Sequence, residues 1–172
     1  LVEVLGLHAA LMATRPRGVR DLVPAARTVL VHVDPTVLPL AAARRWIEGV
    51  DAAGAPAVPG EPAPADEIEI PVVYDGPDLD ETAALLGIGA GELVARHLAA
   101  RWTVAFTGFA PGFGYLVSAD WRVDVPRRAT PRARVPQGSV ALAGEFTGAY
   151  PRETPGGWQL IGTTAAPLFA PR

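Results

Sequence analysis

The spacing of apolar positions changes several times along the chain, and each change predicts a different element. LVEVL (residues 1–5) is apolar with one acid and reads as a short strand, while HAALMATR (8–15) reads as helical. VRDLVPAARTVLVHVD (19–34) alternates apolar with polar residues, which predicts two strands joined near Pro24–Arg27. In PTVLPLAAARRWIEGVDAAG (35–54), Leu40, Ala43, Trp46, Ile47 and Val50 share one helical face, and Gly54 suits the end of that helix. Ala55–Glu67 then carries four Pro, one Gly and no apolar period, the signature of a linker.

Beyond the linker the pattern resumes. EIEIPVVYD (67–75) reads as a strand, and DLDETAALLG (78–87) and GAGELVARHLAARW (89–102) as two helices with acidic starts. WTVAFTGF (102–109) is a strand feeding a Gly-rich turn. Residues 101–172 hold 9 Gly and 8 Pro among short apolar runs, which predicts many short strands in a barrel or sandwich.

Composition narrows the chemistry. The chain has 172 residues, is 49% hydrophobic and 19% charged, and so can bury a real core. No run of apolar residues is long enough for a transmembrane helix. The first residue is Leu1, inside an apolar run without the basic segment of a signal peptide, and the chain reads as clipped at both ends. Cys is absent, which excludes disulfides, Cys nucleophiles and Cys-based metal sites and accords with a cytoplasmic protein. All 15 basic residues are Arg, so Schiff-base chemistry and the Lys of a phosphate-binding loop are excluded as well. Residues 1–100 carry 7 Arg against 14 acids and residues 101–172 carry 8 Arg against 4. That mildly basic second half suits an anionic small molecule or an acidic partner, and it lacks the dense basic stripe of a nucleic-acid binder.

Candidate residues lie mostly in that second half. His8, His32 and His97 share no segment with a nucleophile and read as structural or solvent-facing, leaving no metal site or catalytic triad. Asp66, Glu67 and Glu69 read as a solvated strand face, and Asp75, Asp78, Asp80 and Glu81 as caps of the following helix. FTGFAPGFGYL (106–116) is too Gly-rich for a helix and too aromatic for an ordinary loop. It is either a sharp turn whose aromatics pack inward, or a pocket wall made of Phe109, Phe113 and Tyr115. Arg127, Arg128, Arg132 and Arg134 fall within eight residues. Arg132 and Arg134 share a side if they lie in a strand, either as forks for a carboxylate or phosphate or as a solvated edge. Pro155-Gly156-Gly157 between Tyr150 and Trp158 reads as a tight hairpin with aromatic packing.

Three of these segments, GFAPGFGYL, PRRATPRARVPQGSVALAG and TGAYPRETPGGWQLIGTT, together resemble the family called allophanate hydrolase subunit 1, the 5-oxoprolinase B-subunit or the KipI-like histidine-kinase inhibitor. The family pattern runs approximately G-F-x-P-G-F-x-Y-L, P-R-x-x-x-P-R-x-x-V-P-x-G-S-V and T-G-x-Y-P-x-x-T-P-G-G-W-x-L-I-G. The chain matches nearly every fixed position in order, and VRDLVPAARTVLV and IEIPVVYDGPDL match more loosely. Glu145 and Phe146 replace the small or amide residues usual before Thr147-Gly148.

The resemblance implies an α+β N-terminal domain, residues 1–58, followed by a mainly β, cyclophilin-like barrel domain, residues 59–172. It implies a B-subunit that works with a larger C-subunit and with an A-subunit in the ATP-dependent opening of 5-oxoproline to glutamate, inactive alone. The same family implies two other roles, a carboxyltransferase component of a urea-degrading biotin enzyme and an inhibitor of a sensor kinase. On the first reading, Phe109, Pro111, Gly112, Phe113 and Tyr115 form one wall of a pocket completed by the C-subunit. Arg127, Arg132 and Gln159 contact a small anionic substrate, Tyr115 and Tyr150 orient it, and Gly156, Gly157 and Trp158 form the facing turn. ATP is used by the complex, and no metal site is readable in the chain.

Overall fold

In the computed structural model, which describes residues 1–50 and 67–170, the chain begins with one uninterrupted helix, α1 (Val2–Ala13). The strand expected over residues 1–5 is therefore absent. Its apolar residues serve a helical face instead: Gly6, Ala10 and Leu11 are buried, and Leu7 packs beside them. A five-residue apolar run has no period long enough to separate strand from helix.

The predicted hairpin is present as antiparallel β1 (Val19–Pro24) and β2 (Val29–Val33). Helix α2 (Leu40–Glu48) follows and ends at Gly49, not at Gly54, which lies outside the described residues. Leu11, Val19 and Leu22 form the core of this part, flanked by Val29, Val31, Trp46 and Ile47. The described residues divide into two compact units, within Leu1–Glu67 and Ile68–Arg172. The boundary expected between residues 58 and 59, and the linker up to Asp66, fall outside the described residues.

In the second unit, helices α3 (Leu79–Leu85) and α4 (Ala90–Ala99) form where expected. Seven strands follow: β3 (Thr103–Thr107), β4 (Gly114–Val117), β5 (Arg132–Val135), β6 (Ser139–Ala143), β7 (Phe146–Ala149), β8 (Thr154–Gly156) and β9 (Gln159–Thr163). Five of them make one antiparallel sheet in the order β3-β4-β7-β6-β9, and β5 pairs with β8 in a separate ribbon. Among the described residues these strands do not close into a barrel. The outer edge of β9 meets no further strand, only backbone bonds from Val73, Gly76 and Asp78, and β3 ends the sheet on the other side.

Central β6 explains the layering, because all five of its residues are buried. Its side chains alternate between two cores. Val140 and Leu142 join Ala83, Leu93, Trp121, Val125 and Ile161 under the helices. Ala141 and Ala143 join Phe113, Val135, Tyr150, Trp158 and Leu160 on the other face. Fully burying a side chain such as Leu142 or Ile161 stabilises by roughly 1.5–3 kcal/mol.

The strand expected over residues 67–75 is reduced to one bridge, in which Val73 and Thr163 exchange backbone bonds of 2.8 and 2.7 Å. Pro71 has no N–H to extend that ladder. The segment then runs against β9 so closely that a Cβ on Gly76 would lie 2.3 Å from the Leu160 carbonyl oxygen.

Buried His97 joins the helical layer to the sheet. The Thr147 hydroxyl donates to the Ala141 carbonyl (3.2 Å), so its oxygen accepts from His97 Nε2–H (2.9 Å). His97 Nδ1 is then the acceptor for the Tyr74 hydroxyl at 2.7 Å. Every polar atom of the ring is satisfied in the neutral form, and burial lowers its pKa to about 4.

Two outcomes follow. Gly76→Ala forces backbone apart and is expected to cost more than about 2 kcal/mol in chemical denaturation; an unchanged midpoint contradicts the close approach. The depressed His97 pKa means its stability contribution is complete above about pH 6.5 and declines as pH falls towards 4, by on the order of 3 kcal/mol in all. Denaturation midpoints of wild type and His97→Gln across pH 7 to 4 test this, and the variant should lack that part of the slope.

Candidate functional site

The Gly-rich stretch is a sequence of tight turns between β3 and β4. Ala110 N–H donates to Gly108 O (2.7 Å) and Phe113 N–H to Ala110 O (2.9 Å). Two residues take positive φ, Gly112 at +83° and, unusually for a side chain of its size, Phe109 at 65°. A Cβ on Gly112 would lie 2.4 Å from Cβ of Phe169, so glycine is required there for space as well as for conformation.

This turn sends its aromatics two ways. Phe113 is 1% exposed and meets Tyr150, Tyr115 and Trp158 edge-on at centroid distances of 5.2, 5.1 and 5.3 Å. Tyr150 and Trp158 are buried too. Phe113, expected as a wall, Tyr150, expected to orient a substrate, and Trp158, expected in the facing turn, are all placed in the core, and the ring the turn presents outward is Phe109, 59% exposed and T-shaped to Phe113 and Tyr150. Pro111 and Gly112 are exposed beside it. Tyr115 is half-buried and stacks on Phe106 at 4.4 Å.

The arginines also divide. Arg132 does not stand free: its two terminal nitrogens grip the Asp78 carboxylate at 2.8 and 2.6 Å. Arg128 Nη1 donates to the same carboxylate at 2.8 Å, and the Leu160 backbone N–H completes it at 2.7 Å. Asp78 is 1% exposed, so this is a buried ion cluster with each carboxylate oxygen accepting two bonds. Burial alone pushes the Asp78 pKa up, but the Arg132 and Leu160 hydrogen bonds and the charges of Arg132 and Arg128 outweigh it, and the net shift is downward. Arg134, on the same strand as Arg132, is 81% exposed and 3.7 Å from Glu153.

Arg127 remains. It is exposed and makes no hydrogen bond or ion pair among the described residues. Its backbone is fixed from both sides: Arg128 N–H donates to Gly157 O at 2.9 Å, and Gln159 Nε2 donates to Pro126 O at 3.0 Å. Trp158 lies between those anchors. Gly156 sits so close to the Tyr150 hydroxyl that a Cβ there would be 2.4 Å from it. The structure therefore brings Arg127, Tyr115, Tyr150, Gly156, Gly157 and Trp158 to one turn. Gln159 is buried beneath Pro126, with its Oε1 unpartnered, while its neighbours Trp158 and Leu160 belong to the aromatic core.

Burial raises the pKa of both Tyr115 and Tyr150, against the opposing pull of Arg127. Both phenols therefore keep their protons at neutral pH and can donate. Two open hollows among the described residues lie elsewhere, about 570 Å³ beside Thr14 and Trp46 and about 460 Å³ beside Arg96 and Trp121. Among the described residues, no group of three or more His, Asp or Glu is placed to hold a metal ion.

Sequence reasoning missed Asp78 and Arg128. Asp78 occupies the N-cap position of α3 as expected, yet its side chain caps nothing. Its arginine partners are 50 and 54 residues away, and no local pattern announces such a contact.

Comparison with known proteins follows the same lines. The family model described as carboxyltransferase domain, subdomain C and D, matches residues 1–172. The chain is 51% identical over 107 residues to the 5-oxoprolinase B-subunit of Escherichia coli O157:H7, covering 60% of this chain and 49% of that protein. It is 45% identical over 108 residues to the 5-oxoprolinase B-subunit of Bacillus subtilis (strain 168), covering 61% of this chain and 45% of that protein. The crystal structure of TTHA0988 superposes with a TM-score of 0.70 at 36% identity, covering 96% of this chain and 32% of that one. The matches thus span about half of the curated relatives.

Replacing Asp78 by Asn keeps the shape but leaves two arginines short of a counter-charge, an expected loss of about 3 kcal/mol. Because the folded carboxyl has a lowered pKa, its contribution is present above about pH 4 and is lost as pH falls further. Acid titrations of wild type and Asp78→Asn should converge below that pH; parallel curves down to pH 2 contradict the assignment.

Proposed function

Because the chain belongs to the carboxyltransferase-domain family of subdomains C and D, we propose that it serves as the B-subunit of an ATP-dependent 5-oxoprolinase. It acts with a larger C-subunit and with an A-subunit to open 5-oxoproline to glutamate. The observation that carries this reading is its 45–51% identity to three proteins named as 5-oxoprolinase B-subunits. The geometry supports it in kind. The turn around Phe109 and Arg127 offers an aromatic face, the half-buried Tyr115 and a cation, but no nucleophile, and the chain has no Lys or Cys.

This chain binds and orients; the groups that complete the active site belong to its partners. ATP supplies the free energy that makes opening a stable lactam favourable. Phe109, Pro111 and Gly112 form the exposed lip of the pocket, Phe113, Tyr150 and Trp158 the layer that holds it rigid, and the Gly156-Gly157 turn its far side. Residues 1–58 serve as an N-terminal α+β domain, and residues 59–172 contribute to a cyclophilin-like barrel. No helix of the described residues is long and apolar enough to cross a membrane, and we place the complex in the cytoplasm.

The test is 5-oxoproline-stimulated ATP hydrolysis, with glutamate followed in parallel, by the A-, B- and C-subunits combined. Omitting this chain should reduce both to background. Turnover indifferent to the chain overturns the reading.

A further inference from the structure

Beyond β9 the sheet continues as a segment held by Val73, and that segment uses only half of what its sequence offers. Over residues 67–75, Ile68, Ile70, Val72 and Tyr74 fall on one face of an extended run, and Glu67, Glu69, Pro71, Val73 and Asp75 on the other. Val72 and Tyr74 pack against the core under the helices, with Val140, Leu142 and Ile161. Ile70 and Ile68 continue the same apolar face outward and are 40% and 85% exposed.

The backbone is half used as well. Val73 exchanges both of its backbone bonds with Thr163, at 2.8 and 2.7 Å. In an antiparallel ladder a residue's N–H and C=O point to the same side, and its neighbours' point to the other. Pro71, two residues from Val73, is therefore turned towards β9, whereas Ile68, Ile70 and Val72 are turned outward. The N–H that proline lacks lies on the β9 side. Pro71 stops the ladder to β9 and leaves the outer row of donors intact. Among the described residues, the N–H groups of Ile68, Ile70 and Val72 have no hydrogen-bond partner. The opposite edge of the sheet is different: β3 carries a register shift between Val104 and Phe106, the kind of bulge that blunts an edge.

We infer that residues 68–72 are a docking edge for a β-strand of another polypeptide, one that alternates apolar with basic residues, and that this strand belongs to the larger C-subunit. Naming the partner rests on the 5-oxoprolinase reading. The strand's backbone bonds to the outward N–H and C=O groups of Ile68, Ile70 and Val72. Its apolar residues cover Ile68 and Ile70, and its basic residues face Glu69. Affinity in such an addition comes from the main chain and specificity from alternate side chains. A second copy of this chain fits less well. Antiparallel self-pairings centred on Pro71 or Val72 set Glu67 or Glu69 opposite Asp75 of the other copy, and like charges directly opposite are destabilising.

Amide hydrogen exchange, read residue by residue with purified C-subunit as the probe, tests this. The C-subunit should slow exchange at Ile68, Ile70 and Val72 by roughly tenfold or more. Glu69, whose N–H faces the other way, should exchange as fast as in the free chain, and Val73, already bonded to Thr163, should not change. Ile70→Pro removes an outward N–H and Glu69→Arg reverses the charge beside it. Each should weaken C-subunit binding by roughly tenfold or more, whereas Glu145→Arg, a charge reversal at an exposed residue elsewhere in the same unit, should not. Denaturation midpoints of the free variants check that they fold, and Glu69→Arg carries the test where Ile70→Pro does not. A C-subunit that binds without slowing those three amides, or slows Glu69 equally, overturns the inference and leaves the 5-oxoprolinase reading standing. Amides already slow in the free chain, or slowed as its own concentration rises, show an edge covered by this chain or a second copy and overturn it too. A C-subunit that does not bind, with no turnover of 5-oxoproline by the combined subunits, overturns the reading and the inference together.

Discussion

The Asp78 carboxylate gathers three stretches of chain that are remote in sequence: the start of α3, the Arg128–Arg132 segment and the beginning of β9. Burying a carboxylate is costly, and here the cost is offset by four donors, three of them from guanidinium groups. Such a cluster adds little net stability over an apolar replacement, but it tolerates only one arrangement of its members. Its value lies in placement. With Arg128 and Arg132 committed inward, the segment between Pro126 and Arg128 lies in one register along the 157–159 turn, and Arg127 is left facing out.

The second constraint is the aromatic layer on the face of the sheet opposite the helices. Phe113, Tyr115, Tyr150 and Trp158 meet mostly edge to face, the arrangement that their ring quadrupoles favour. Their first task is to fill the core. That task buries Tyr150 and leaves Phe109 outside, on a backbone conformation that a side chain of its size rarely adopts.

Much of the fold was legible in the sequence. The β1–β2 hairpin, α2, α3, α4 and β3 follow from period and turn residues, because each is decided by neighbours a few positions away. The failures have physical reasons. Residues 1–5 are too few to show a period, so the helix that continues into residue 13 overrode the strand reading. Residues 67–75 have strand composition, but Pro71 leaves them a single bridge to β9. The barrel implied by family resemblance is not closed by the described strands.

The sequence by itself determined the parts list of the candidate site: the Gly-rich aromatic turn, the arginine run, the Pro-Gly-Gly hairpin, and the absence of Lys and Cys that removes Schiff-base and thiolate chemistry. Only the tertiary structure decided which parts face inward. Asp78 read as a helix cap and is an ion-cluster centre; Arg132 read as a substrate contact and is its clamp. Phe113 read as a pocket wall and is core. Caps, periods and turns are set by residues within a few positions of one another. The pairing of a buried charge, and the side of a sheet that a ring occupies, depend on residues tens of positions away, and only the packed fold brings those together.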